Sequence, residues 1–546
     1  MHNLNSKSAR GLLFALAIIG CGFALRIYGL DFGLPFLYVG DEIDFVGRAF
    51  EMLVTGDPNP HWFNHPGTPT IYLFALIFAG KITAGGTTLS DLFYLARFSV
   101  AVFAAGSMLL TYLIGRRVMD LCGALLATAI VAFAPLHVEF SRIARTDLQM
   151  AFFVLASTWF ILSIAETGRR RDYVLAGFLL GLAAATKYLA LILAISLIWA
   201  HCLHRLRENR PVWTNPARLI GSGLTTCLGF LAGTPFILLE YENAWRSLIV
   251  ESRSFHLGAT ADGFLSSVWW YLTHPLLDNV GFLGMLMMLA GAGLVIARRN
   301  AALSVVLVFA VCAVIFHSFL SLRWGRWLIP ALPFFALLAA FGFQEAYKML
   351  SRRLPGPARP VAVFVALAVA TLMLAGPATD SVQRARSLGN EDTRTLAFEW
   401  IMSNVAPGSR ILSESYTPQL PNDLFRLYGV ENGRIIPSHS SRYFYLPINN
   451  IIPFGSIGRL RDADAIDRAR IDYVVLSSQY DRRRAEPFHS GQEAAYAETR
   501  REIDLYEELM DRYSLIYETW PVRGKIAGNH VRIYQTSPAD AGTKNE

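Results

Sequence analysis

Long apolar stretches separated by short polar loops occupy roughly the first two thirds of the chain. Most of them contain roughly 17–25 residues, the length that crosses the hydrocarbon core of a bilayer as an α-helix. This pattern predicts a polytopic α-helical membrane protein with about 11 spans, at residues 11–29, 91–115, 120–138, 147–166, 172–186, 188–204, 217–238, 280–298, 301–320, 327–348 and 359–378.

The pattern changes after residue 378, where polar and apolar positions mix as in a soluble domain. Leu396–Asn404 and Asp464–Arg470 have the apolar spacing of helices, and four short runs have that of strands: Ile411–Leu412, Tyr473–Leu476, Leu515–Ile516 and His530–Tyr534. We therefore expect a transmembrane domain over residues 1–378 and a small α/β domain over residues 379–546.

Composition agrees with a membrane location and excludes a single soluble domain. The chain is 53% hydrophobic and only 17% charged, with a mean hydropathy of +0.37. All five cysteines fall in apolar segments, which predicts small core residues without disulfides. The net charge of +7 comes from basic clusters in short loops, so it indicates membrane orientation and no nucleic-acid partner.

The basic clusters also predict which loops face which side. If Arg116–Arg117, Arg169–Arg171 and the later clusters are cytoplasmic, then the loops 30–66, 139–147, 239–279 and 321–326 and the polar C-terminal region lie on the outer side. The apolar stretch 66–84 would then lie along the outer interface or dip into it without crossing. The basic and apolar N-terminus resembles a signal peptide, but its apolar run is long enough to be an uncleaved first span.

Two adjacent acids, Asp41 and Glu42, directly follow the first span and are the sharpest chemical signal in the chain. Carboxylates at a membrane edge are expensive to keep near lipid, which makes them functional candidates. A helix over Asp44–Leu53 is expected to follow. The acids would then either cap this helix or act as a general base for an incoming hydroxyl or amine.

A second predicted outer loop, Ser141–Asp147, contains Arg142, Arg145 and Asp147. Its guanidiniums could bind a phosphate, or they could form a purely structural pair with the aspartate. If Asp147 lay near Asp41, the two carboxylates could hold a divalent metal, although nothing in the spacing requires one.

Further candidates are His65, Lys187, His256, Arg323 and Arg326, all at predicted outer positions. Lys187 could neutralise an anionic head group or simply snorkel to the interface. Arg323 and Arg326 flank Trp324 and could also form an aromatic and basic anchor. Acids and cations near one leaflet suit a substrate with a phosphate head and a lipid tail. They suit a channel less well, because no span carries a polar stripe along its length. They also differ from most transporters, whose polar sites cluster near mid-bilayer within broken helices.

Several short segments, taken in their order along the chain, resemble the integral-membrane glycosyltransferases of the GT-C fold. The resemblance is strongest to bacterial relatives of protein O-mannosyltransferases (family 39) and of the aminoarabinose transferase. The pieces cover roughly the first 350 residues: Asp41–Glu42, Glu51–Asp57, Ala144–Asp147, Gly181–Tyr188 and Arg326–Pro333. One departure is His65-Pro66-Gly67, where relatives often carry Lys-Pro-Pro.

The resemblance implies Asp41 as catalytic base, with Glu42 beside it and Asp147 as the second acid. Lys187, Arg323, Arg326, His65, Arg145 and His256 would be candidate contacts to a polyprenyl-phosphate-linked sugar. The implied protein is an inverting glycosyltransferase of a bacterial inner membrane, multi-pass, with its C-terminal domain extracytoplasmic and an acceptor that is a protein, lipid or glycan. The alternatives are a flippase or transporter of a lipid-linked sugar, and a non-catalytic envelope assembly protein that acts through its C-terminal region.

Overall fold

A computed structural model describes residues 6–212, 216–437, 450–451, 455–489 and 491–536. Most of these residues are helical. The helices, in chain order, are α1 Ser6–Ile27, α2 Gly40–Thr55, α3 Thr68–Thr83, α4 Leu89–Val118, α5 Leu121–Ala132, α6 Pro135–Phe140, α7 Asp147–Thr167, α8 Arg170–Thr186, α9 Leu193–Arg207, α10 Ala217–Gly233, α11 Tyr241–Glu251, α12 Phe264–Tyr271, α13 Leu277–Ala297, α14 Ala301–Ser318, α15 Leu332–Arg353, α16 Arg359–Leu388, α17 Thr393–Asn404, α18 Asp464–Arg468, α19 Gln479–Arg484 and α20 Glu493–Arg512.

Every predicted span overlaps a helix, although the span predicted at 120–138 is divided between α5 and α6. In the described part of the chain, eight helical segments are long and apolar enough to cross a membrane: Ala9–Ile27, Leu89–Val118, Asp147–Thr167, Tyr188–Arg207, Phe264–Ala297, Ala301–Ser318, Gly325–Arg353 and Arg359–Leu388. The other predicted spans form the shorter helices α5, α8 and α10. The chain is therefore a polytopic α-helical membrane protein.

Several helices are interrupted where the chain turns toward the polar loops. Lys187 is extended (φ −161°, ψ 127°) and separates α8 from the 3-10 helix Tyr188–Ile192. Pro275 lies in a π-helical turn, and α13 is kinked at Gly281, whose φ of 72° is strained for residues with a Cβ. A 3-10 helix over Gly325–Ala331 precedes α15. Two of these interruptions contain candidate site residues, Lys187 and Arg326.

Two amphipathic or apolar helices lie between the first and second long spans. Helix α2 starts at Gly40, so Asp41 and Glu42 stand in its first turn, and it ends at Gly56 in a left-handed conformation. The predicted helix after Asp41 is thus confirmed and begins four residues earlier than Asp44. Helix α3 falls within the stretch 66–84 and is a shorter apolar helix, and its expected interfacial position stays a prediction.

The C-terminal region contains a sheet, as the alternating pattern predicts. Its strands are β1 Arg410–Ser413, β2 Leu420–Pro421, β3 Arg426–Glu431, β4 Arg434–Pro437, β5 Asn450–Ile451, β6 Tyr473–Leu476, β7 Ser514–Thr519 and β8 Val531–Gln535. Six of them form one mixed sheet in the order β4-β3-β1-β6-β8-β7, and β2 pairs with β5. The centre is parallel: Ile411 of β1 pairs with Leu427 of β3 and with Tyr473 of β6.

Both predicted helices and all four predicted strands of this region are confirmed. Helix α16 continues past the expected boundary at 378 and ends at Leu388, so the sheet region follows a longer final membrane helix. The expected domain extends to 546, and residues 537–546 lie outside the described residues.

The cysteine prediction was half right. All five are free, but Cys21, Cys122 and Cys227 are exposed on the protein surface, and Cys202 and Cys312 are only partly buried. A helix that faces lipid places small apolar side chains outward as readily as inward, and the apolar pattern does not separate the two faces.

Candidate active site

The first predicted outer loop and the second meet at Asp41. Its side chain is 53% exposed and forms an ion pair with Arg145, whose own side chain is 7% exposed. The two residues are 104 positions apart in the chain. Asp41 is therefore open to solvent on one side and held by a cation on the other.

Arg145 also connects Asp41 to a buried pair behind it. Arg145 Nε lies 3.7 Å from Asp147 Oδ2, and Lys187 Nζ donates a 2.7 Å hydrogen bond to Asp147 Oδ1. Asp147 is fully buried and Lys187 is 5% exposed. Asp41, Arg145, Asp147 and Lys187 thus form one continuous line of alternating charges, the charged row.

Local backbone structure places each member of the charged row. Asp147 opens α7, and Arg145 lies in the turn just before it. Lys187 follows the end of α8 in an extended conformation and forms an isolated β-bridge with Pro66. Lys187 does not snorkel, because its ammonium points into the protein toward Asp147.

Glu42 points away from the charged row and lies in the core. Arg97 of α4 holds both of its oxygens, with hydrogen bonds of 2.8 and 2.7 Å, and the backbone N–H of Ala144 donates a third at 2.8 Å. Arg97 also donates to the carbonyls of Leu30 and Phe32. Glu42 and Arg97 therefore tie the two loops together beneath Asp41.

His65 joins the site from the loop before α3. It packs edge-on against Phe45 and Trp62, and its Nε2 is buried without a hydrogen-bond partner among the described residues. Burial, reinforced by the positive charges of Lys187 and Arg145, holds the pKa of His65 well below its usual range. The ring is therefore neutral at pH 7 and can donate or accept a hydrogen bond.

The segment before α15 brings Arg326 toward the site but turns Arg323 toward Asp262. Arg326 stacks over Trp324 at 4.2 Å, and its Nε is buried without a partner among the described residues. The charge of Arg326 acts on both His65 and His256, so Arg326 lies within electrostatic range of both rings. His256 packs on Trp324 at 4.8 Å, and burial is the main cause of its lowered pKa.

Arg323 and Arg142 are turned away from the charged row. Arg323 lies 3.8 Å from Asp262 and 5.4 Å from the Trp270 ring. Arg142 donates to the backbone carbonyls of Tyr28, Gly29 and Ala385, and so joins α1 to the end of α16.

His317, near the end of α14, was not singled out in the sequence. It is buried, packs between Tyr271 and Trp327, and lies within electrostatic range of Lys187. A lone histidine at the end of an apolar span resembles an interfacial residue, so only the folded arrangement reveals it. Arg97 was missed because it lies inside the span predicted at 91–115, where a lone arginine gives no indication of its partner.

Unpartnered polar atoms cluster around the charged row. Buried side-chain atoms normally have hydrogen-bond partners, so several orphans in one place indicate a polar space that a ligand or water fills. Within the described chain, the orphans near the row are His65 Nε2, Arg145 Nε, Thr146 Oγ1, Asp147 Oδ2, His317 Nδ1, His317 Nε2 and Arg326 Nε.

An apolar groove lies beside the 3-10 helix Tyr188–Ile192, which directly follows Lys187. Its volume is about 910 Å³, and its walls are almost entirely nonpolar. Tyr188, which follows Lys187 directly, lines one end. The groove continues between α10 and α11 along Phe230, Leu231, Ala244, Trp245 and Leu248. Lys187 and the groove are therefore neighbours along the chain through Tyr188.

The carboxylates do not form a convincing metal site. The described residues contain no group of three or more histidine, cysteine or acidic side chains that could hold an ion. Arg145 lies between Asp41 and Asp147, and Lys187 occupies the other Asp147 oxygen. Side-chain cations thus pair with one oxygen of Asp41 and one oxygen of Asp147, while Asp147 Oδ2 has no hydrogen-bond partner among the described residues.

A family model described as dolichyl-phosphate-mannose-protein mannosyltransferase matches residues 77–228. No relative matches among curated protein sequences. The matched segment contains Arg97, Arg145, Asp147 and Lys187 but ends before Arg326.

Solved structures match over almost the whole chain. ArnT from Cupriavidus metallidurans, in the apo state, is 12% identical with a TM-score of 0.55, and the match covers 98% of this chain and 99% of that one. Its undecaprenyl phosphate complex gives 13% identity, a TM-score of 0.53 and 99% coverage of both chains. The Archaeoglobus fulgidus oligosaccharyltransferase AglB, in complex with an inhibitory peptide and dolichol phosphate, gives 14% identity, a TM-score of 0.56 and coverage of 98% of this chain and 75% of that one. The chain therefore has the GT-C fold of these glycosyltransferases.

Proposed function

We propose that this protein transfers a sugar from a polyprenyl-phosphate donor to an external acceptor, with Asp41 as general base. The observation that carries the proposal is the charged row, which contains or neighbours several orphaned polar atoms and whose Lys187 is followed directly by Tyr188 in the wall of an apolar groove. A phosphate with a long hydrocarbon tail is the ligand whose two halves match those two surroundings.

The step is a single displacement at the anomeric carbon. Asp41 accepts the proton of an acceptor hydroxyl or amine while the acceptor oxygen or nitrogen attacks that carbon. The bond from the anomeric carbon to the phosphate oxygen breaks, and its electron pair leaves with the polyprenyl phosphate. One displacement inverts the anomeric configuration.

The phosphate gains negative charge as the bond breaks, so preorganised cations nearby lower the barrier. Arg145, Lys187 and Arg326 are the candidates to supply this charge, with neutral His65 as a hydrogen-bond donor. Lys187 and Arg326 are held in place by Asp147 and Trp324. Asp147 then acts as a positioning residue for Lys187 and Arg145, and Glu42 holds the backbone that presents Asp41.

The apolar walls of the groove support entry of the donor from the bilayer. Undecaprenyl phosphate and dolichol phosphate are bound in the ArnT and AglB structures, which have the same fold. The proposed location is a bacterial inner membrane with residues after Leu388 on the extracytoplasmic side, where the acceptor would reach the exposed side of Asp41.

A substitution that fills the groove tests whether the groove binds the hydrocarbon tail of the donor. Ala244→Trp places an indole at a buried position of the groove, so the KM for a polyprenyl-phosphate sugar should rise while kcat with saturating donor changes little. Leu239→Trp is the matched control, since Leu239 is 76% exposed beside the groove. Equal KM values for the two variants would contradict the assignment.

Purified protein in nanodiscs distinguishes transfer from transport. With a polyprenyl-phosphate sugar and an acceptor on the same side, a transferase releases free polyprenyl phosphate and glycosylated acceptor. A flippase would move the intact donor between leaflets and release neither, and that result would overturn the proposal.

A further inference from the structure

A second polar cavity lies where the C-terminal domain meets the loop that precedes Asp41. Its volume is about 290 Å³, and its walls come from both parts of the chain. Tyr38 and Val39 belong to the first loop, while Arg394, Tyr416 and Arg482 belong to the C-terminal domain. The cavity is distinct from the apolar groove and from the charged row.

Several hydrogen bonds hold the walls of this cavity in place. Arg394 donates to the carbonyl of Tyr38 at 3.0 Å, and its guanidinium stacks on the Tyr38 ring at 3.8 Å. The Tyr38 hydroxyl lies 2.7 Å from Thr395 Oγ1. Asp392 holds Arg394 from the other side with hydrogen bonds of 2.8 and 2.7 Å.

Backbone conformation around the cavity is also unusual. Tyr416 has a φ of 70°, a left-handed conformation that is unfavourable for an aromatic residue. Gly528 has a φ of 102°, and a Cβ there would lie 2.4 Å from Asp392 Oδ1, so only glycine fits. Residues in unfavourable backbone conformations are concentrated at active sites and ligand-binding sites. Here the conformation directs the Tyr416 ring to the cavity, beside Arg482 at 5.1 Å.

The lining combines aromatic rings with planar polar groups. Ring faces carry partial negative charge and attract the C–H bonds on one face of a sugar, while amide, carboxylate and guanidinium groups bind its hydroxyls. Asn390 and Asn529 supply the amides. Asp392 neutralises Arg394, whereas Arg482 has an aromatic contact and no carboxylate partner among the described residues. The cavity therefore carries an excess positive charge.

We propose that this cavity binds one acidic sugar residue of the acceptor, with its carboxylate at Arg482 and its ring against Tyr416. The proposal rests on the proposed function for the identity of the ligand as an acceptor. Successive Cα atoms are about 3.8 Å apart, so the Cα of Val39 lies at most about 7.6 Å from that of Asp41. A bound sugar would therefore lie within a short oligosaccharide of the reacting hydroxyl and would select which acceptors react.

The test is binding of D-glucuronate to the purified full-length protein, with D-glucose as neutral comparison, measured by saturation-transfer NMR without any donor lipid. Glucuronate should bind to the wild-type protein and equally to Asp41→Asn, and more strongly than glucose. Arg482→Gln should weaken glucuronate binding about tenfold, as expected for loss of a charge-assisted hydrogen bond. Arg500→Gln, at an exposed arginine of α20, should leave it unchanged.

The variant Tyr416→Gly provides an independent test of binding in the cavity. Glycine adopts a φ of 70° without penalty, so the variant should unfold at the same or a higher temperature while losing glucuronate binding. Equal binding by Arg482→Gln and Arg500→Gln, no preference over glucose, or no binding at all would overturn the proposal. Binding without any sugar transfer would count against the proposed function alone, since the assay needs no turnover.

Discussion

Lys187 donates a 2.7 Å hydrogen bond to Asp147 although both side chains are almost completely buried. Removing one partner of such a pair leaves an uncompensated charge in a medium that solvates it poorly. This pair anchors the inner end of the charged row, so its integrity should determine both stability and the position of Arg145.

Lys187→Met should lower the free energy of unfolding by about 3–5 kcal/mol, because Asp147 loses its principal partner. Lys81→Met is the matched control: Lys81 is 34% exposed and 3.9 Å from Asp91, a surface pair worth about 0–1 kcal/mol. Thermal unfolding in detergent measures both. Adding Asp147→Asn to Lys187→Met should restore part of the loss, and equal stability of the two lysine variants would refute the buried-pair account.

Arg97→Lys should destabilise the protein by about 1.5–3 kcal/mol, because lysine keeps the charge but cannot hold both oxygens of Glu42. Arg117→Lys, at a partly exposed pair with Glu166, should have a smaller effect. The same unfolding assay applies. If Arg97→Lys were as stable as Arg117→Lys, Glu42 would not be the structural tie between the two loops.

Transfer should continue in excess EDTA. Arg145 and Lys187 already neutralise the carboxylates that could hold a divalent ion, so removing metal should leave kcat unchanged. Activity is measured before and after chelation, with added Mg²⁺ or Mn²⁺ as the reverse experiment. Loss of activity in EDTA that returns with either ion would show that a metal takes part.

The loop before α3 should loosen as pH rises. The hydrogen bond to Asp57 makes the largest contribution to the raised pKa of His61, and the charge of Glu240 raises it further. The protonated ring is therefore favoured in the folded state. Its contribution is complete below the ordinary histidine pKa of about 6.5 and disappears as pH rises through the raised value.

Hydrogen exchange of residues 57–63 measures this loop directly. Protection should fall as pH increases from about 6 to 9, after correction for the intrinsic pH dependence of exchange. In His61→Gln the corrected protection should be low at every pH. A corrected profile that is flat in the wild-type protein would contradict the role of His61.

Much of the architecture follows from sequence because crossing a bilayer demands long apolar helices, and these are visible one segment at a time. The convergence of Asp41 with Asp147 was expected, and Arg145 joins the two. The partner of Glu42 was not foreseeable, because Arg97 lies inside an apolar span and pairing across 55 positions leaves no local pattern.

His317 and Tyr416 illustrate the same limit. A histidine at the end of α14 could face water, lipid or a ligand, and only packing against Tyr271 and Trp327 decides. The left-handed backbone at Tyr416 contradicts the usual preference of aromatic residues, so sequence rules predict the wrong conformation there. Arg323 had the same sequence signal as Arg326, yet the fold turns it toward Asp262.

The most direct test of the central claim is the turnover of Asp41→Asn with a polyprenyl-phosphate sugar and an acceptor. Asparagine keeps the size and the contact to Arg145 but cannot accept a proton at neutral pH, so kcat should fall by about 10²–10⁴-fold with unchanged thermal stability. Asp31→Asn, at an exposed aspartate of the same loop, should turn over normally. Equal rates for Asp41→Asn and Asp31→Asn would contradict the account.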